Sequence, residues 1–169
     1  MCAPELKVGF GGDWPPYVHR KGRVVVGTDI HLLEKVFSQM GVRPRYVDIP
    51  SSKRASQLLK TGEIDVMVGA TFTKERNKYV IFTVPYRKEK MGIFVRQGDY
   101  VQLQNKSITQ LLQYKLVGAV NIGGYYGQEL EDLRVNSELN KRLISVPTMH
   151  QRVQMLIENK VDFFIEDEQ

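Results

Sequence analysis

One stretch constrains this chain more than any other: Ile64-Asp65-Val66-Met67-Val68-Gly69-Ala70-Thr71-Phe72-Thr73-Lys74-Glu75-Arg76. Residues 64–68 are a short, nearly all-apolar run between Gly62 and Gly69. That pattern predicts a strand buried on both faces of a parallel sheet, with helices packed either side. Gly69 ends the run and lets the backbone turn or be approached closely. Thr71, Thr73 and Arg76 follow at once, which puts hydroxyls and a guanidinium at the carboxyl end of a strand, where open α/β sheets bind ligands. A plainer reading makes Arg76 one solvated charge among Lys74, Glu75 and Lys78. On this stretch alone both readings stand.

The chain has 169 residues, room for one domain or two small lobes. Its hydrophobic content of 42% and charged content of 25% are ordinary for a globular protein. No run approaches the ~18 uninterrupted apolar residues of a membrane helix, so no transmembrane segment is expected. Met1-Cys2-Ala3-Pro4 reads as what remains after a signal peptide is removed, and Cys2 is also open to reading as a lipid-bearing terminus. A single cysteine excludes an internal disulfide framework and a cysteine-based metal site. His19, His31 and His150 fall on separate elements, so neither a metal nor a cofactor is expected. The net charge of +5 raises nucleic acid as a partner. The positive residues are scattered, however, and the densest cluster, His19-Arg20-Lys21-Gly22-Arg23, looks like a hairpin turn with no aromatic stripe beside it. No nucleic acid is expected; a basic surface suits anionic solutes or a membrane surface.

In chain order, residues 5–10 read as a first strand broken by Gly11-Gly12-Asp13. Trp14-Pro15-Pro16-Tyr17 is a stiff turn carrying two aromatics, and extended segments flank the Lys21-Gly22 turn. Thr28 or Asp29 is expected to cap a helix with Ile30, Leu33, Phe37 and Met40 on one face, closed by Gly41. Residues 43–49 form a strand. Ser51 or Ser52 caps a helix burying Ala55, Leu58 and Leu59. After the organising strand come residues 79–84 and Pro85-Tyr86. A new pattern starts near Arg87, with strands at 91–96, 115–120, 143–146 and 161–165. Ser107-Ile108-Thr109-Gln110 and Thr148-Met149-His150-Gln151 have capping-box spacing. The second opens a helix expected to turn Val153, Leu156 and Ile157 inward. A further helix is expected over 125–133.

The two halves echo one another. Leu59-Lys60-Thr61-Gly62-Glu63-Ile64-Asp65-Val66-Met67 and Ile157-Glu158-Asn159-Lys160-Val161-Asp162-Phe163-Phe164 share one pattern: helix end, polar turn, apolar residue, Asp, apolar strand. Two parallel-sheet α/β lobes are therefore expected, with a cleft between them as the natural ligand site.

Taken in order, Trp14-Pro15-Pro16-Tyr17, Gly27-Thr28-Asp29-Ile30, Gly62-Glu63-Ile64-Asp65, Gly69-Ala70-Thr71-Phe72-Thr73-Lys74-Glu75-Arg76, Pro85-Tyr86 and Val161-Asp162-Phe163-Phe164-Ile165-Glu166-Asp167-Glu168 resemble the family 3 periplasmic solute-binding proteins, the polar amino-acid receptors of bacterial ABC importers. The resemblance covers the whole chain. It implies an α/β, two-lobed type II periplasmic-binding fold with lobe 1 at residues 1–88 and lobe 2 at 89–169. It also implies a periplasmic location, an amino acid or related carboxylate as ligand, and possible ABC transporter membrane subunits as partners. Relatives continue through a second hinge strand and complete lobe 1. Against them this chain is expected to be C-terminally truncated and to expose part of the lobe 1 core.

Carried over by the same resemblance, Arg76 takes the ligand's α-carboxylate, assisted by Thr71 and the backbone at Gly69. Asp167 takes the α-ammonium, and Trp14 with Tyr17 packs over the rest of the ligand. The chemistry agrees: a guanidinium meets a carboxylate through two parallel bonds, and a carboxylate suits an ammonium with three donors. Where many relatives have a glycine and two hydroxyl residues, this chain has Gly123-Gly124-Tyr125-Tyr126. Gly124 is then expected to donate its N–H from a helix N-terminus, and Tyr125 to narrow the pocket. Ser52 replaces a residue often aromatic in relatives.

The leading function is a binding module delivering an amino acid or similar zwitterion to an importer. The alternatives are the sensor module of a larger signalling or cell-wall protein, and a periplasmic dehydratase-like enzyme using Glu166-Asp167-Glu168 as acid. Against the last, that run reads as an exposed acidic turn with a single ligand-binding Asp, so no enzyme is expected.

Overall fold

The computed structural model describes residues 3–135 and 137–168; Cys2 lies outside them. The chain divides into two compact units, Met1–Val84 and Pro85–Gln169. The expected lobe boundary was at 88/89.

The first unit contains β1 (Glu5–Gly11), β2 (His19–Lys21), β3 (Val24–Val26), α1 (Thr28–Met40), β4 (Arg43–Ile49), α2 (Ser52–Lys60) and β5 (Val66–Met67), then a 3-10 turn at Arg76–Lys78. Its three-stranded sheet has the order β4-β1-β5, with both pairings parallel. The two strands around the Lys21-Gly22 turn form the expected antiparallel hairpin. One face of the sheet packs Phe10, Val18, Val25 and Ile30; the other packs Ile49, Ala55 and Ile64 under α2. Gly9 keeps that second face tight, since a Cβ there would lie 2.5 Å from Ile64 Cδ1 and 2.7 Å from Ile49 Cδ1.

Several local expectations are corrected here. The organising strand is shorter than its apolar run. Only Val66 and Met67 pair with β1, and they are half-buried while Ile64, ahead of them, is 2% exposed. The reason is position: β5 is the sheet's edge and has a neighbour on one side only. In α1, Met40 is exposed and Ile30 and Phe37 are buried; Gly41 closes the helix in the left-handed region, as expected. Ser51 caps α2 by accepting from the Arg54 N–H. Residues 79–90 have no regular structure, and Ile81 and Val84 lie almost fully exposed there.

The second unit contains β6 (Met91–Val95), a 3-10 turn (Gln97–Asp99), α3 (Tyr100–Leu103), α4 (Ile108–Gln113), β7 (Gly118–Asn121), α5 (Gln128–Val135), α6 (Ser137–Asn140), β8 (Leu143–Val146), α7 (Met149–Ile157) and β9 (Phe163–Asp167). Its sheet has the order β6-β9-β7-β8. β7, β8 and β9 run parallel, and β6 is antiparallel to β9. The Ser107 capping box is complete, with both reciprocal bonds made. In α7 Leu156 is buried and Val153 packs half-buried on the same cluster, as expected; Arg152 is also buried, whereas Ile157 is 70% exposed.

The echo between the halves has one structural meaning. The Asp65 N–H donates to Lys7 O at 2.9 Å, and its Oδ2 accepts from the Lys7 N–H at 2.8 Å. The Asp162 N–H donates to Val117 O at 2.8 Å, and its Oδ2 accepts from the Val117 N–H at 2.8 Å. Each aspartate pins the start of a strand to the neighbouring strand, satisfying both polar groups of one peptide position.

Candidate functional site

In the first unit the carboxyl ends of the parallel strands carry the chemistry. The chain leaves β1 through Gly11-Gly12-Asp13 and folds back at Trp14. The Trp14 N–H donates to Val18 O at 2.6 Å, and Trp14 O accepts from the Tyr17 and Val18 N–H groups at 2.9 and 3.0 Å. The Trp14 and Tyr17 rings sit 4.9 Å apart, tilted by 58°.

This turn caps α1. Pro16 O and Tyr17 O accept from the Thr28 and Asp29 N–H groups, each at 3.1 Å, so two of the helix's orphan donors are met by loop carbonyls. The expected side-chain cap is therefore not used. Gly27 is the N-cap residue at φ 137° with no side-chain bond, and Asp29 is buried. Glycine is required, because a Cβ on residue 27 would fall 2.0 Å from Tyr17 O.

Trp14 is half-buried against the Phe10, Val18, Val25 and Ile30 cluster, and Val68 packs on the same cluster. Val68 immediately precedes Gly69, so the aromatic turn and the 69–76 segment share one end of the sheet. Gly69 takes φ 69°, the left-handed region that favours glycine. Thr71, Thr73 and Arg76 are half-buried. The Arg76 N–H donates to Thr73 Oγ1 at 3.1 Å, and its Nη1 donates to Thr71 O at 2.9 Å. The guanidinium is folded back onto the segment that leads to it, which fixes the direction of its planar fork.

In the second unit β7 ends at Asn121, and a turn follows. The Gly124 N–H donates to Asn121 O at 3.2 Å, while Gly124 O accepts from Arg134 Nη2 at 2.8 Å. Helix α5 begins only at Gln128, so Gly124 does not stand at a helix N-terminus and its N–H is used inside the turn. The cause is Tyr126. Its hydroxyl accepts from the Asn121 N–H at 2.8 Å, and its ring passes 2.9 Å from where a Gly124 Cβ would be. Burial pushes the Tyr126 phenol up, against a smaller opposing effect of Arg152. Tyr125 is half-buried in the same turn.

Asp167 is the last residue of β9 rather than a residue beyond it, and is 3% exposed. Its Oδ1 accepts from the Lys90 N–H at 3.0 Å, and the next residue's N–H donates to Lys90 O at 2.7 Å. The expected exposed acidic turn is thus a buried strand end. Glu166 is also buried and forms an ion pair with Arg152, whose Nη1 donates to Val146 O at 3.1 Å. Sequence reasoning missed this pair. Its signals were an arginine on the inward stripe of a helix and a glutamate inside an apolar strand.

Among the described residues no cluster of His, Cys, Asp and Glu is arranged to hold a metal, and no helix is long and apolar enough to cross a membrane. An open groove of about 360 Å³ beside α7 and β8, lined by Ser145, Pro147, Gln151 and Met155 among others, includes none of Trp14, Tyr17, Gly69, Thr71, Arg76, Gly124, Tyr125 and Asp167.

The sequence profile of the bacterial extracellular solute-binding proteins, family 3, matches residues 6–125, more than half of the chain. The chain belongs to that family. No curated protein matches it. Among solved structures, this family 3 chain superposes on an ancestral arginine-binding protein bound to arginine, with a TM-score of 0.83, 24% identity, and coverage of 99% of this chain and 71% of that one. The arginine-bound form of a truncated ArgBP from T. maritima gives 0.80 at 26% identity, covering 97% and 74%. An ancestral amino acid-binding protein, AncCDT-1, described as a precursor of cyclohexadienyl dehydratase, gives 0.80 at 24% identity, covering 97% and 71%. The fold is that of type II periplasmic binding proteins, and the family 3 chain shares it with amino-acid-binding proteins.

Proposed function

We propose that the chain is an extracytoplasmic, periplasmic receptor that captures an amino acid or a similar small zwitterion and delivers it to an ABC importer. The observation that carries this reading is Arg76. Its guanidinium is tethered to Thr71 O at 2.9 Å, at the carboxyl end of a parallel sheet, where α/β folds bind ligands. A guanidinium held in one orientation favours a bidentate pair with a carboxylate. Trp14 and Tyr17, at the same end, offer aromatic surface for the ligand's remaining atoms. In the second unit Asp167 offers a carboxylate at the corresponding strand end, suited to an α-ammonium. With the two charged groups on different units, a zwitterion that engages both favours the conformation in which both are engaged.

A binding role without catalysis also fits the acidic run. Glu166, within the run weighed as an acid, is buried and engaged by Arg152.

A thermal-shift screen of the twenty amino acids and common carboxylates tests the reading. A true ligand at 100 times its Kd adds about 2.7 kcal/mol of apparent stability. No shift with any amino acid would overturn it.

A further inference from the structure

The net charge of +5 is not spread over the chain. Residues 1–84 hold 13 Lys and Arg against 8 Asp and Glu, while residues 85–169 hold 11 of each, so the whole excess lies in the first unit. Within that unit α2 carries Lys53, Arg54 and Lys60 and no acidic residue. Ala55 is buried, and Leu58 and Leu59 pack half-buried on the same core. Lys53, Arg54, Gln57 and Lys60 are exposed, and at helical spacing these four share the outward face.

Local helix physics does not account for that placement. Lys53 and Arg54 stand in the first turn of α2, which holds no acid, and the helix dipole disfavours positive charge there. The face also extends beyond the helix. Lys60 Nζ lies 5.4 Å from the centroid of the Tyr79 ring, which joins the end of α2 to the 3-10 turn and its exposed Lys78. The acids nearby are already engaged. Glu75 is paired with Lys78, which holds its carboxyl below the ordinary carboxylate range, with a smaller contribution from Lys60. Glu63 accepts from Thr61 Oγ1 at 2.9 Å. Close in the chain on either side of the turn, Phe72 is 57% exposed and Ile81 99%.

We propose that the outward face of α2, with the adjoining 3-10 turn, docks on a bilayer rich in anionic phospholipid. Charge complementarity calls for an anionic partner. The cations are strung along a helix, so an extended surface fits them better than one small anion. Exposed Phe72 and Ile81 favour a bilayer over an acidic protein, because apolar side chains beside lysines suit the boundary between headgroups and acyl chains. The proposal goes beyond the receptor function and does not depend on it.

Co-sedimentation of the full chain with vesicles, without amino acid, tests it. One set is phosphatidylcholine with about one-third phosphatidylglycerol; the other is phosphatidylcholine alone. The chain should bind the first set and not the second, and binding should fall between about 50 and 200 mM NaCl. Replacing Lys53, Arg54 and Lys60 together by Gln should lower partitioning at least about tenfold. Replacing Lys115, Lys141 and Lys160 by Gln removes the same charge from the second unit and should leave partitioning within about threefold of the parent. Thermal melts report folding. Should the first triple variant not fold, Lys53→Gln with Arg54→Gln, which keeps the Lys60 contact and relieves the first turn, should lower partitioning at least about fivefold. No binding to the anionic vesicles overturns the proposal, as does equal binding to both sets or an equal loss in the two triple variants. Retention on poly-L-glutamate beads without vesicle binding would indicate an acidic protein partner and overturn it too. Amino-acid affinity is titrated separately, so either function can fail while the other stands.

Discussion

Arg76 Nη1 donates to the carbonyl oxygen of Thr71 at 2.9 Å. The bond spans one loop, from the end of β5 to the 3-10 turn, and converts a flexible cation into an oriented one. A lysine has no second arm. It can reach the same carbonyl or a ligand carboxylate, but it cannot hold a fork toward one while bonded to the other. Arg76→Lys is expected to weaken amino-acid binding by at least about tenfold while the melting temperature stays close to the parent's. Calorimetry beside a thermal melt checks both. An unchanged Kd would return Arg76 to the solvated-charge reading.

Trp14 is the only tryptophan, and its ring lies 4.9 Å from that of Tyr17. Ligand that packs over this pair changes the polarity around the indole, so titration with a bound amino acid should shift or quench the fluorescence. A silent signal in a sample shown by calorimetry to bind would move Trp14 from the site to the core.

Asp167→Asn should weaken binding of α-amino acids by about 2 kcal/mol or more, as a charge-assisted contact becomes neutral. The effect on ligands without an amine should be small. Because Asp167 closes a paired strand and accepts from the Lys90 N–H, some stability is lost as well, and melts must accompany the titrations. Equal losses for both ligand types would make Asp167 a structural residue.

Gly27→Ala is expected to destabilise the first unit by at least about 2 kcal/mol. A methyl there would sit 2.0 Å from Tyr17 O at a backbone φ of 137°, and relief would detach the aromatic turn from α1. Reduced stability and reduced affinity should therefore appear together, measured by denaturant titration and calorimetry. Parental stability would show that the turn accommodates the methyl.

Alkaline stability should be limited by two tyrosines. Burial raises the Tyr126 phenol. Burial, together with its bond to Glu34 Oε1 at 3.0 Å, raises that of Tyr46. In the unfolded chain both ionise near about 10, so above that pH the unfolded state binds fewer protons than the folded one and stability falls. Tyr46→Phe and Tyr126→Phe should each flatten the loss between pH 10 and 12, followed by urea titration; identical slopes would deny the effect.

Local spacing along the chain specifies the alternation of strands and helices, the closure of α1 at Gly41, the Ser107 capping box and the repeated Asp65 and Asp162 motif. Each depends on local spacing or on one residue's backbone preference, which neighbours in the chain can specify. The sequence also marks Arg76, because a guanidinium soon after a glycine-ended apolar run is a local pattern.

The remaining features depend on contacts between elements far apart in the chain. The apolar run at 64–68 does not show that β5 lies at a sheet edge, since edge position depends on which strands pair. Gly27 looks like a helix lead-in, yet its role comes from carbonyls of Pro16 and Tyr17 folded against it. The inward stripe of α7 is legible only in part: Leu156 belongs to it, but Ile157 does not, and Arg152 does although apolar periodicity gives a charged residue no inward place. Its partner Glu166 lies on another element, and a buried charge is tolerable only once that partner is in place. Asp167 likewise reads as part of an exposed acidic turn, whereas the Lys90 backbone meets it across the antiparallel pair.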